Sequence, residues 1–189
     1  MAWAIDAAHT QVEFVVKHMM VTNVRGHFNA VSGTLNLDET NPQASKVDVS
    51  FDVASVATGD EKRDGHLRSA DFFDVEKFPT MTFKSKRIEF AAPGKLDSFK
   101  IIGDLTIKDV TREVVLDVSN EGKGKSPWGT TVWGFSAHTS INRKDFNLAW
   151  NVALETGGWL VGEQVKINIE LETIQLPETV PTQSATQEA

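Results

Sequence analysis

The chain has 189 residues, of which 40% are hydrophobic and 24% charged, the composition of an ordinary globular protein with one core-sized domain. Its net charge of −7 leaves no basic surface for a run of phosphates, so sequence-independent nucleic-acid binding is not expected, and no apolar stretch reaches the length of a transmembrane segment. The absence of cysteine excludes disulfides, thiolate nucleophiles and every Cys-ligated zinc or iron–sulfur site.

The N-terminus, MAWAIDAAHTQVEF, is interrupted by Asp6 and Glu13 and has no basic residue ahead of it, which is not the pattern of a secretory signal. A cytoplasmic location is expected, or a periplasmic one if a leader precedes the chain. From there the sequence is dominated by alternation of apolar and polar residues, the mark of strands with one buried face. The runs are 11–18, 32–38, 46–53, 80–90, 99–108, 113–119, 130–141 and 164–174, and Lys46-Val47-Asp48-Val49-Ser50-Phe51-Asp52-Val53 is the clearest. Turn-formers separate them at 38–42, 92–94 and 121–124. Strands in such a series, with hardly any helix between them, exclude a parallel βαβ sheet and predict an antiparallel meander. A meander of this length buries its apolar face either by closing as a barrel or by folding into a sandwich, and composition does not choose between the two.

One segment breaks the alternation. Thr58-Gly59-Asp60-Glu61 has the form of a capping box ahead of a short helix reaching about Ser69. The following run, 70–79, carries Phe72, Phe73 and Phe78 and is expected to pack over one end of the sheet. The single domain is expected over 1–176. Residues 177–189, PETVPTQSATQEA, offer almost nothing to bury and are expected to form a disordered tail.

Three motifs invite chemistry. Gly124-Lys125-Ser126 lacks the first glycine of a phosphate loop and reads as a hairpin. His9, His18 and His27 recur every nine residues but differ in strand parity, so no metal site is expected. Asp6, His9 and Thr10 can be forced into a nucleophilic triad, but a surface hydroxyl beside a histidine is common and no catalytic group is expected here. The segment Arg63-Asp64-Gly65-His66-Leu67-Arg68-Ser69 is richest in functional side chains. It reads as a solvated helix with an Asp64–Arg68 pair at i,i+4, or as a polar gate over an apolar cavity where Arg63, His66 or Arg68 meets an anionic head group. The basic pair Arg143-Lys144 has the same two readings.

Trp3 to Thr10, Phe14 with Lys17-His18, Arg25-Gly26-His27-Phe28, RDGHLRSADFFD from Arg63 to Asp74, and Phe78-Pro79-Thr80-Met81-Thr82-Phe83 stand in the order and spacing of the YceI-like proteins. Gly103 to Lys108, Ile141 to Phe146 and Val161 to Val165 continue the resemblance, which spans about 3–174. Asp109, Glu113 and Asn147 depart from it, the first and last at turn positions where Asp and Asn tolerate a left-handed backbone.

The resemblance implies an extended lipocalin-like β-barrel that holds a polyisoprenoid, or another long-chain amphiphile, in an apolar tunnel, often as a homodimer. On that footing the expected function is non-catalytic binding, transport or storage of lipid, with no cofactor and no metal. Strand parity then places Phe14, Val16, Val47, Val49, Phe51, Val53, Leu105, Ile107, Ile167, Ile169 and Leu171 inward. Phe72 joins the ligand contacts, and His18, Arg63, His66, Arg68 and Arg143 are the head-group candidates. The rival reading is an enzyme acting on a long-chain ester, amide or diphosphate within the same barrel; a dry structural module is the third.

Overall fold

The computed structural model describes residues 2–92 and 96–176; the expected tail and most of the turn at 92–94 lie outside the described residues. Eleven strands form one antiparallel sheet: β1 (Ala2–Ile5), β2 (Gln11–His18), β3 (Thr22–Phe28), β4 (Val31–Asn36), β5 (Lys46–Asp52), β6 (Val56–Ala57), β7 (Thr80–Phe90), β8 (Ser98–Ile107), β9 (Val110–Lys125), β10 (Thr131–Asn142) and β11 (Val161–Gln175). One helix, α1 (Glu61–Arg68), interrupts them.

The pairs β1/β2, β3/β4 and β5/β6 are each one pass of chain broken by a turn, so the eleven strands make eight passes, each paired with the next. The last strand, β11, closes the sheet by pairing with β2 along 161–170 and with β1 along 173–175. Closure decides between the two readings that composition left open: the molecule is a barrel, and every interior strand edge is covered.

The alternation explains the wall. Along β5, Val47, Val49 and Phe51 face in while Asp48 faces out, its carboxylate 3.5 Å from Lys84 Nζ on β7. Similar outer pairs join Lys86 to Asp104 at 2.7 Å and Lys86 to Glu113 at 3.3 Å. Such exposed pairs each contribute at most about 1 kcal/mol, so burial of the inner face carries the stability. Phe28, Phe51, Phe83, Phe135, Ile101 and Leu105 belong to that buried cluster.

Several local expectations are corrected. The helix cap is Asp60, whose side chain accepts from Arg63 N, whereas Thr58 donates its hydroxyl to Asp64 at 2.5 Å. Residues 121–124 do not turn; a bulge opposite Gly134 and Phe135 carries β9 on to Lys125, and the reversal falls at 126–130. Val53 leaves the strand to open a 3-10 turn and is packed in the buried core. In the β8–β9 turn the left-handed residue is Lys108 rather than Asp109, while Asn147 does adopt φ 57°. Strand β3 was hidden by Gly26, which the fold requires: a Cβ there would lie 2.3 Å from Phe14 Cζ.

Candidate functional site

The eight-pass barrel encloses an elongated cavity of about 500 Å³. Of the residues placed inward by parity, Phe14, Val16, Val47, Val49, Phe51, Leu105, Ile107, Ile167, Ile169 and Leu171 line it, and Val53 does not. Many of these side chains, including Val49, Ile167 and Ile169, are only half-buried although they face inward, because the exposed half looks into the bore. The charged groups that line it are Asp38, Glu39, Lys123 and Arg143, and the rest of the wall is mostly apolar.

One end is covered by α1 and the aromatic run that follows it. Leu67, Phe72 and Phe73 close the bore there, and beyond them lies a second cavity of about 380 Å³. The two cavities share Phe14, Val16, Leu67, Phe72 and Val161 as walls. The second is rimmed by Lys17, His18, Lys62, Arg63 and His66, with Asp60 as its one carboxylate. Hydrogen bonding to the Arg63 backbone N–H holds the Asp60 carboxyl below its ordinary value of 3.8.

The covering segment is fastened by polar contacts that helix periodicity did not disclose. Asp64 is buried and accepts from both the backbone N–H and the hydroxyl of Thr58; it is not paired with Arg68. Arg63 donates through Nε to Thr58 Oγ1 at 2.7 Å and through Nη2 to the Thr58 carbonyl at 3.1 Å. Arg68 lies on neither cavity. Its Nε and Nη2 donate at 2.8 Å to the carbonyls of Ala54 and Val56, which makes it a tie between helix and barrel. His66 sits 2.9 Å from Asp71 and stacks edge-on against Trp150 and Phe72, with ring centroids at 4.6 and 5.1 Å.

Arg143 is buried on the bore wall and is likewise committed to backbone. Its guanidinium donates to the carbonyls of Leu148, Trp150, Val161 and Gly162, and Asn151 Nδ2 donates to the Val161 carbonyl beside it. Burial lowers its pKa from the usual arginine value, partly offset by the Glu163 charge. Its neighbour Lys144 points outward to Glu163 and to the Trp159 ring.

The opposite end of the bore carries a group that sequence reading missed. Lys123 lines it with Nζ 4.1 Å from the Trp133 ring centroid, 5.3 Å from that of Trp3, and 2.5 Å from Glu39. Asn120 accepts from Trp133 Nε1 at 2.8 Å beside it. The signal was concealed because 121–124 looked like a turn; only the β9 bulge brings Lys123 into the wall. Trp150 was missed too, since it lies in an irregular loop.

The three histidines do not converge. His9 sits beside Asp6 and Glu172, at 2.9 and 3.7 Å, His18 stands opposite Val161 and His27 opposite Glu13. Asp6, His9 and Glu172 bring one ligand atom each within 4.8 Å of the others, but His9 is exposed and the group lies outside both cavities. Thr10 directs its hydroxyl to the Glu172 carbonyl at 3.4 Å, so Asp6, His9 and Thr10 are not arranged as a triad.

The YceI-like domain model matches residues 3–173. The UPF0312 protein SA2479 of Staphylococcus aureus strain N315 is 35% identical over 171 residues, covering 90% of this chain and 95% of its own. Among solved structures, Burkholderia cenocepacia BcnA aligns with a TM-score of 0.76 at 26% identity over 89% of this chain and 98% of that one. The Campylobacter jejuni YceI protein aligns at 0.71 and 34% identity, over 85% and 90% respectively. A polyisoprenoid-binding domain of Saccharophagus degradans, at 0.63 and 17% identity over 93% and 99%, is alike in fold alone. By the family match over nearly its whole length, this chain belongs to the YceI-like family.

Proposed function

We propose that the protein binds one polyisoprenoid or comparable long-chain amphiphile without chemical change, as a carrier or store. The observation that carries this reading is the apolar bore: it runs the length of the barrel, and its volume of about 500 Å³ falls in the range of cavities that enclose one ligand. Each methylene moved from water onto such a wall gains about 0.8 kcal/mol before ordering costs. A tail of ten methylenes thus gains about 8 kcal/mol toward those costs without a specific contact, and longer tails gain more. The Saccharophagus degradans neighbour is a polyisoprenoid-binding domain, which supports the choice of ligand class.

The head group is assigned to the second cavity, where Lys17, His18, Lys62, Arg63 and His66 face a single carboxylate. Arg68 and Arg143 are left out of that assignment because neither lines the second cavity. The test compares a prenyl diphosphate with the prenyl alcohol of equal tail length, titrated into wild type and into the His18→Ala/Lys62→Ala protein. Loss of diphosphate affinity with alcohol affinity retained is the expected result, since charge-assisted hydrogen bonds serve only the anion. Equal losses contradict the placement of the head group, and no binding of either lipid by wild type contradicts the function.

A further inference from the structure

Beside the second cavity the surface is apolar. The β2–β3 turn presents Met19, Met20 and Val21, of which Met20 is 58% and Val21 74% exposed. The loop before β11 adds Val152 and Trp159, also exposed. These are one surface: Met19 N donates to the Leu160 carbonyl at 2.8 Å, Leu160 N to the Val152 carbonyl at 2.9 Å, and Gly158 approaches Met20 so closely that a Cβ would lie 3.3 Å from its Cγ. His18 and Leu160, which flank these residues in the chain, line the second cavity.

The turn is built against local preference. Val21 N donates to the His18 carbonyl at 3.1 Å across it, and Met19 and Met20 have φ of 50° and 63°. Two consecutive left-handed residues form the tight hairpin turn that Asn-Gly adopts most readily. Methionines there carry backbone strain and expose apolar area, so the sequence forgoes local stability on both counts.

We propose that this patch docks the protein onto the surface of a lipid bilayer, seating the second cavity against the membrane so that an amphiphile passes between bilayer and bore without crossing water. The passage of ligand rests on the function proposed above; the docking itself does not. A lipid surface fits better than a protein partner because the apolar groups sit on two loop tips at the cavity mouth, with Trp159 among them and the Lys144 ammonium 5.9 Å over its ring. A tryptophan flanked by lysine is at home at the membrane–water interface. The rim of the second cavity carries Lys17, Lys62 and Arg63 against Asp60, so attraction to anionic head groups adds to the insertion of apolar side chains although the whole chain carries −7.

The experiment is co-sedimentation of the purified full chain with phosphatidylcholine vesicles, repeated at high salt and with vesicles enriched in phosphatidylglycerol. Binding to phosphatidylcholine that persists at high salt is expected, with a salt-sensitive gain from the anionic lipid. The paired variant is Met19→Asn/Met20→Gly, which suits the turn and removes the apolar tips. It is expected to melt no lower than wild type while partitioning at least about tenfold less. Trp159→Ala, leaving the turn intact, should lower partitioning in the same direction. The proposal is overturned if wild type does not sediment with vesicles, if the paired variant binds them equally well, or if sedimentation velocity shows a wild-type dimer that the variant dissolves, which would make the occupant a second copy. Uptake of a prenyl alcohol from ethanolic solution, measured in parallel, is expected to be unchanged in the variant. Absence of that uptake in wild type would count against the function and leave the vesicle result standing.

Discussion

Val49→Trp separates an open bore from a packed core. Val49 stands in the middle of β5, with Gly33 opposite on β4 and Phe83 opposite on β7. Sideways room is lacking: a Cβ on Gly33 would already lie 3.0 Å from Val49 Cγ1. An indole at this site must therefore project inward. In a close-packed interior, forcing it there costs about 1–3 kcal/mol, which in a chain of this size lowers the melting temperature by roughly 2–12 °C. In the bore, the ring enters the cavity of about 500 Å³ that Val49 already faces, so the delipidated variant should melt within about 2 °C of delipidated wild type. Its affinity for a long prenyl alcohol should fall, or its preference shift to shorter tails, because the ring takes tail volume. Calorimetric melting of both delipidated proteins, beside titrations with alcohols of graded length, provides the readout. A drop of several degrees with undiminished affinity for long tails would refute the assignment of β5 to the bore.

Arg143→Met removes the side-chain donor of the Leu148, Trp150 and Gly162 carbonyls, while the Val161 carbonyl keeps Asn151 Nδ2, and should cost about 2–5 kcal/mol, read as a large fall in denaturant midpoint; a loss below about 1 kcal/mol would show that the carbonyls find other partners. Gly103→Ala sets a Cβ 2.5 Å from the Lys84 carbonyl and 2.6 Å from Phe83 Cζ, so it should destabilise by about 1–3 kcal/mol and drive the Phe83 ring into the bore, weakening long tails most; unchanged binding would show that the ring moves elsewhere. The Asp6 carboxylate raises the pKa of His9 above 6.5, and His9 lowers that of Asp6 below 3.8. The pair therefore stabilises fully between those two values, fading as pH falls through the Asp6 pKa or rises through that of His9. An NMR titration should place the His9 midpoint above that of Asp6→Asn, and identical midpoints would exclude the coupling.

What was legible in the sequence is what a two-residue period can carry. Val47, Val49, Phe51, Leu105, Ile107, Ile167, Ile169 and Leu171 were assigned inward from parity and all line the bore, because facing is a local property of a strand. Val53 is buried as parity expects, but it packs in the core and not on the bore because the chain leaves the sheet after Asp52. The ends of the bore were less legible. Arg63, Arg68 and Arg143 are alike as letters, yet one rims a cavity, one ties α1 to the barrel and one satisfies a loop. Carbonyls distant in the chain make that distinction, and residue spacing does not encode them. Lys123 entered the wall only through a bulge, and its stacking on Trp133 and Trp3 joins segments more than a hundred residues apart in sequence.

The central claim is that the bore holds an amphiphile, and native mass spectrometry of the purified protein, beside mass analysis of its organic extract, tests it most directly. A ligand-filled bore gives a species heavier than the bare chain by one long-chain apolar molecule, the same molecule in the extract, and re-formation of a one-to-one complex when the delipidated protein meets a prenyl lipid. A spectrum of the bare chain alone, with no uptake of added prenyl lipid, would contradict it.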